Sequence, residues 1–344
     1  MTELKTLCIL PKIEGLGGPA SFQARLAAGM RARGVDVHHN PARRDTDVIL
    51  LIGGISRLDI LWAAKRRGVR IVQRLNGMNW VHKKKRVPLR LYLRAEWNNR
   101  VLSTIRKQLA DEIVYQSQFA RSWWQTTYGK SGKPGRVIYN GVDLDTFTPE
   151  GEQDRPQNHA RLLLVEGRLG GGYEAGLENG VALARRLAAD WASAVELMVV
   201  GQVPPTLRQQ VERQAPDVWI NWAGVAKRAD IPRLDRSAHL LFSADLNAAC
   251  PNSVIEALAC GLPVVSYATG SLPELITQDT GMVVPYGSNY WNLEPPEVAP
   301  LAAAARAILS DQECFRQGAR ERAVEAFGVE QMVEQYSKVL AQGD

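Results

Sequence analysis

The first 150 residues alternate short apolar runs with amphipathic stretches. TLCIL (6–10) is an unbroken apolar run of strand length, and it leads into the glycine turn EGLGGPAS. Phe22, Leu26, Ala27 and Met30 then recur at helical spacing, and Gly34 closes that stretch. DVILLIGG (47–54) predicts a second buried strand, followed by a helix to Gly68 and a third strand in VRIVQRL (69–75). Beyond a basic segment, EIVYQS (112–117) and RVIYNG (136–141) read as two more. Strands alternating with helices need crossover connections, and these build a parallel, doubly wound sheet.

The pattern breaks at TPEGEQDRPQNHA (148–160), which is polar, carries Pro and Gly, has no periodicity and reads as a linker. It then restarts with RLLLVEG (161–167), a helix over about 176–190, and AVELMVVG (194–201). VWINWAG (218–224), HLLFSA (239–244), LPVVSYA (262–268) and GMVVP (281–285) continue it. The expectation is an α/β chain of two Rossmann-like, doubly wound parallel-sheet domains, residues 1–150 and 151–325, facing across a cleft. Residues 326–344 form a closing helix able to pack back on the N-terminal domain. Ligands of such sheets bind beyond the carboxyl ends of the strands.

Composition narrows this little. A chain of 344 residues suits two cores, and 45% hydrophobic with 23% charged content is ordinary for a globular protein. No apolar run approaches the roughly 20 residues of a membrane span. MTELKTLCILPK lacks a basic n-region and a cleavage site, so a cytoplasmic protein is expected. Cys8, Cys250, Cys260 and Cys314 lie far apart and read as reduced thiols, and the five histidines form no ligand cluster. Charge is more informative. The net charge is +6, and His82–Lys107 holds nine Lys and Arg against the single acid Glu96. Trp80, Leu89, Leu91, Tyr92, Leu93 and Trp97 interleave with those cations. Such a mixture suits either an anionic membrane surface or a packed helix with exposed cations. Nucleic acid is not an expected partner, since the segment belongs to no recognised binding module.

Four stretches carry a family resemblance: GGPASFQARLAAGMRARGVDV, VIYNGVDLDTF, GRLGGG and PNSVIEALACGLPVVSYATGSLPELI. Their order and spacing resemble family 4 retaining glycosyltransferases, which have the GT-B fold. The resemblance implies transfer of a sugar from a nucleoside diphosphate sugar to a hydroxyl of a glycan or lipid-linked acceptor, at the inner face of the membrane. No cofactor is implied beyond the donor substrate. Asp143 and Asp145 form a D-x-D, which in the other large glycosyltransferase fold holds a divalent metal. Here they belong to the NGVD…F element, Asp45 and Asp47 repeat the spacing by chance, and neither pair has a third ligand nearby. No metal is expected.

Without a metal, a departing diphosphate needs fixed cations. Arg168 in EGRLGGG offers a planar fork suited to phosphate. Gly17 and Gly18 open a helix whose N–H groups suit an anion, and in the family that loop lies against the donor diphosphate. CPNSVIEALACG predicts a helix from about Pro251 to Gly261, with Asn252 and Ser253 at its positive end. Glu256 resembles the second Glu of the family's E-x7-E element, which accepts both ribose hydroxyls. Glu274 matches the GG-x-P-E element beside the donor sugar. On the acceptor side, Arg74, Asn76 and His82 are the polar candidates, His82 as a catalytic group.

Two departures stand out. The first Glu of E-x7-E falls on Ala248, and a Lys usual after the Arg falls on Tyr173. Lys12, Lys227 or Arg228 could replace that Lys. In this family the donor phosphate is usually thought to act as base, so no protein nucleophile is obligatory and Ala248 implies a different sugar contact. The alternatives are a catalytically silent nucleotide-sugar or glycan binder of the same fold, and a nucleotide-sugar epimerase.

Overall fold

The computed structural model describes residues 4–15, 17–170 and 174–341. The first run of elements is β1 (Thr6–Leu10), α1 (Gly18–Ala32), β2 (Asp36–His38), β3 (Val48–Ile52) and α2 (Leu58–Arg66). It continues with β4 (Arg70–Leu75), α3 (Leu89–Thr104), β5 (Glu112–Tyr115), α4 (Gln118–Tyr128) and β6 (Gly135–Val137). The second run opens with β7 (His159–Arg168), α5 (Glu174–Asp190), β8 (Ala194–Gln202), α6 (Pro205–Gln214), β9 (Trp219–Gly224) and α7 (Ile231–Arg236). β10 (Leu240–Phe242), α8 (Asn252–Ala259), β11 (Val264–Tyr267), α9 (Leu272–Leu275) and β12 (Gly281–Val284) follow. Three helices end the chain: α10 (Val298–Ser310), α11 (Gln312–Ala326) and α12 (Val329–Ala341).

The strands form two six-stranded parallel sheets, ordered β2-β1-β3-β4-β5-β6 and β12-β11-β10-β7-β8-β9. Side chains alternate across each strand. Leu7 and Ile9 of β1 join one core, Cys8 and Leu10 the other; Val48, Leu50 and Ile52 of β3 are split from Ile49 and Leu51 in the same way. Both faces of the sheet are covered, which is why these strands read as unbroken apolar runs. The first face packs Phe22, Leu26 and Met30 of α1 with Met332, Val333 and Tyr336 of α12.

The chain divides into two compact units: residues up to Gly141 with those from Gly328 onward, and Val142–Phe327. Residues 142–149, assigned by sequence to the first domain, make their hydrogen bonds inside the second unit. Arg320 donates to the carbonyls of Leu144 (3.1 Å) and Phe147 (2.7 Å), Arg236 to that of Thr148 (3.1 Å). The stretch read as a linker also overlaps β7, which begins at His159.

Strand order reverses once in each sheet, between β1 and β3 in the first unit and between β7 and β10 in the second. In open α/β sheets such a switch point opens a crevice at the carboxyl ends of the strands.

Candidate functional site

In the second unit the residues following β7 and β10 therefore share one edge. Arg168 ends β7 beyond a register shift against β8, is exposed, and its side chain has no hydrogen bond or ion pair to another described residue. Two residues before it, Glu166 was not anticipated. Burial, and then the Asp245 carboxylate, push its pKa up to about 8; burial raises Asp245 as well. Two neighbouring carboxylates cannot both ionise cheaply.

The loop after β10 leads into α8. Its N-cap is Pro251, and no side chain caps the first turn. The first turn carries the positive end of the helix dipole. The helix stops where Gly261 takes a φ of +65°, a left-handed conformation that glycine adopts without strain. Asn252, Ser253 and Glu256 are half-buried. Asn252 and Glu256 are four apart and lie on one face. Asp235 of α7 is buried beside this helix, and its carboxyl is pushed well up by burial and then by the Glu256 charge.

Ala248 is 4% exposed, and its carbonyl accepts the Ser271 N–H at 2.9 Å. Gly270 has a φ of +60°, and a Cβ there would sit 2.6 Å from the Ala248 nitrogen and oxygen. Only glycine lets the loop before α9 press on the loop before α8. Glu274 lies half-buried in α9, its N–H bonded to the Ser271 carbonyl at 2.9 Å. Arg168, Asn252, Ser253, Glu256 and Glu274 thus all lie in one unit, in segments that follow carboxyl ends of its strands.

In the first unit, Gly17 is the N-cap of α1, which has no side-chain cap, and Gly18 is its first residue. A Cβ at Gly17 would meet only Pro19 Cδ at 3.9 Å, so the fold itself does not demand glycine there. Gln23 pins the preceding loop, donating to the Pro11 carbonyl (2.8 Å) and accepting from Ile13 N–H (2.9 Å). At the end of β4, Arg74 is 1% exposed and lies over the Phe22 ring at 3.7 Å. It donates to Asn76 Oδ1 (2.8 Å) and Asn140 Oδ1 (2.7 Å). Arg74 and Asn76 are therefore brought together. His82 is engaged elsewhere, with Nε2 2.8 Å from Glu96 Oε1 and its ring edge-on to Tyr92 at 5.0 Å.

The basic segment is packed only in its later turns, where Asn99, Val101 and Ser103 are buried. Leu89, Leu93 and Trp97 recur every four residues along α3 and are 71%, 58% and 62% exposed. With Arg90, Leu91 and Arg94 on the same two turns, they present an apolar stripe edged by cations. Among the described residues, no helix is long and apolar enough to cross a membrane.

Three of the four D-x-D carboxylates are tied down by hydrogen bonds. Asp143 accepts from Asp145 N–H (3.1 Å) and the Thr146 hydroxyl (2.6 Å), Asp47 from Lys5 and Thr6 N–H, and Asp45 from Arg43. Among the described residues no three His, Cys, Asp or Glu side chains gather as metal ligands. Lys12 pairs with Glu14 at 3.0 Å, while Lys227 is exposed before a one-turn helix that begins at Arg228. Tyr173 lies outside the described residues.

Comparison with known proteins gives two family matches: "Glycosyltransferase Family 4" over residues 42–146 and "Glycosyl transferases group 1" over residues 160–311. The GDP-mannose-dependent alpha-(1-6)-phosphatidylinositol dimannoside mannosyltransferase of Mycobacterium tuberculosis is 29% identical over 224 residues, 63% of this chain and 54% of that protein. Alpha-maltose-1-phosphate synthase of Mycolicibacterium smegmatis is 28% identical over 261 residues, 68% of this chain and 65% of that one. The chain thus matches about half the length of the mycobacterial mannosyltransferase. Among solved structures, sucrose-phosphate synthase from Thermosynechococcus elongatus superposes with a TM-score of 0.75 at 17% identity, covering 97% of this chain and 98% of that one. Anabaena HepE, solved with UDP and glucose, gives 0.69 at 17% identity over 99% and 100%. At these identities the structures establish the fold, GT-B.

Proposed function

The chain belongs to glycosyltransferase family 4, the group 1 glycosyl transferases, and from that membership we propose that it moves a sugar from a nucleoside diphosphate sugar to a hydroxyl acceptor, with retention and without a metal. One observation carries the reading: an uncapped α8 N-terminus with Glu256 on the Asn252 face, at the switch-point edge that also holds Arg168. An uncapped helix start suits a diphosphate, and an exposed guanidinium adds bidentate contacts to it. Glu256 supplies the acceptor atoms for two ribose hydroxyls. As the glycosidic C–O bond breaks, the negative charge grows on the diphosphate oxygen, where the α8 N–H groups and Arg168 stabilise it. The acceptor hydroxyl enters on that same face and gives its proton to the leaving phosphate oxygen. No covalent intermediate on the protein is required.

Arg74, Asn76 and Asn140 are the groups proposed to meet the acceptor. The α3 stripe supports a lipid-linked one: Leu89, Leu93 and Trp97 enter the interface while neighbouring cations meet anionic headgroups. That the mannosyltransferase relative is named for a phosphatidylinositol acceptor fits this reading.

Calorimetric titration of the whole chain with UDP, GDP and their sugar conjugates, with and without EDTA, tests the donor half. Binding of one nucleotide series, unchanged by EDTA, is expected. A chain that binds none of them is not a transferase of this kind.

A further inference from the structure

We propose that Asn247 is the group that reads the transferred sugar in this chain, through its neutral side-chain amide; the proposal rests on the donor reading above. Asn247 follows β10 at the switch point and precedes Ala248, the position where the family pattern has a carboxylate. Its backbone is left-handed, with a φ of 63°. Asn tolerates that conformation better than most residues, usually through a local hydrogen bond from its side chain. Here the side chain makes none. Asn247 is 4% exposed, and both Oδ1 and Nδ2 are buried without a hydrogen-bond partner among the described residues.

Buried amides in folded proteins are almost always satisfied, so a wholly unpaired one needs a cause. Its neighbours share the condition. Thr269 Oγ1 and Ser271 Oγ, on either side of Gly270, are also buried and unpaired, as is Ser243 Oγ at the end of β10. Gly270 holds the two loops together, since a Cβ there would lie 2.8 Å from the Asn247 carbonyl carbon. Two loops pressed into contact thus carry unmet donors and acceptors beside the start of α8. A sugar has the complementary chemistry. One hydroxyl donates to Oδ1 while an adjacent one accepts from Nδ2, so the substrate class is a nucleoside diphosphate hexose with a free vicinal diol. A carboxylate at 248 could only accept; Asn247 does both.

The test compares affinities of the full chain for UDP-glucose against UDP and for GDP-mannose against GDP, by calorimetry. Asn247→Gly keeps the left-handed backbone without strain and removes the amide. Asn247→Asp keeps the shape and removes the two donors. Asn247→Gly should bind the free diphosphate as the wild type does, whereas the charge added by Asn247→Asp weakens diphosphate and conjugate alike; both variants should lose about tenfold in their preference for the sugar conjugate, the scale of one good hydrogen bond. An unchanged preference in both variants overturns the proposal, whatever their melting temperatures. A wild type that binds the diphosphate with no preference for its sugar conjugate overturns it too and leaves the donor site standing. A wild type that binds neither series removes the donor reading and this proposal together.

Discussion

Glu256→Ala separates a ligand contact from a structural one, because binding should fall while stability changes little. The carboxylate is half-buried in the second turn of α8. If it accepts hydrogen bonds from the ribose, its removal costs about 1.5–3 kcal/mol, the range for hydrogen bonds to a charged group. The dissociation constant for the nucleoside diphosphate should then rise about ten- to a hundredfold. Stability follows another route. Asp235 is buried nearby, and burial, then the Glu256 charge, push its carboxyl well up. Deleting that charge relieves Asp235, and Ala is the strongest helix former for the vacated position, which together offset the contacts Glu256 makes within the protein. The variant should therefore melt close to the wild type while binding less well. Calorimetric titration with UDP and GDP, paired with thermal unfolding, checks both. An unchanged dissociation constant beside a lowered melting temperature would refute the reasoning and make Glu256 a structural residue.

Arg168→Ala should weaken diphosphate binding at least tenfold and leave the free nucleoside nearly unaffected, since the partner proposed is phosphate charge; equal losses in the two titrations contradict it. The protein should sediment with vesicles containing anionic lipid at low salt and be largely released at 1 M, where screening shortens to about 3 Å. Leu93→Ser with Trp97→Ser should weaken the low-salt binding as well, and binding that ignores both changes would show that α3 is not the contact. His239 Nδ1 accepts the Arg161 N–H at 3.0 Å, and burial, then Arg155, depress its pKa from 6.5 to about 4. Folded His239 resists protonation that the unfolded chain accepts, so its stabilisation is present above about 6.5 and lost as pH falls toward 4. Urea unfolding at pH 7 and 4.5 should show a smaller loss in His239→Gln than in the wild type, and identical losses would refute the linkage.

The strands legible in the sequence are those whose both faces are covered, such as Thr6–Leu10 and Val48–Ile52, because burial on two sides writes a continuous apolar run. Asp36–His38 is an edge strand of three residues and shows no such run, so it went unread. α8 was legible because Pro251 and Gly261 mark its two ends chemically. α3 was ambiguous since Leu and Trp at helical spacing look alike whether packed or exposed, and only the exposure of Leu89, Leu93 and Trp97 decides it. The acids of the candidate site divide similarly. Glu256 lay in a recognisable motif, whereas Glu166 and Asp245 looked like ordinary strand-end carboxylates, and their pairing depends on β7 lying beside β10. A carboxylate closing the apolar run RLLLVEG was the one available hint. Asn247 left no trace, because a left-handed backbone and an unpaired amide follow from how two loops meet, not from local composition.

The central claim is that a chain with Ala248 in place of the first motif carboxylate is a working sugar transferase. The most direct measurement is nucleoside diphosphate release from a panel of nucleotide sugars, by the wild type and by Ala248→Glu, with and without hydroxyl acceptors presented on anionic vesicles. The account predicts acceptor-dependent release from at least one donor by the wild type. It also predicts a lower rate on that donor in Ala248→Glu, because an added buried carboxylate would lack a partner and would face a diphosphate of like charge. A wild type that releases nothing from any donor, beside a variant that does, would contradict it.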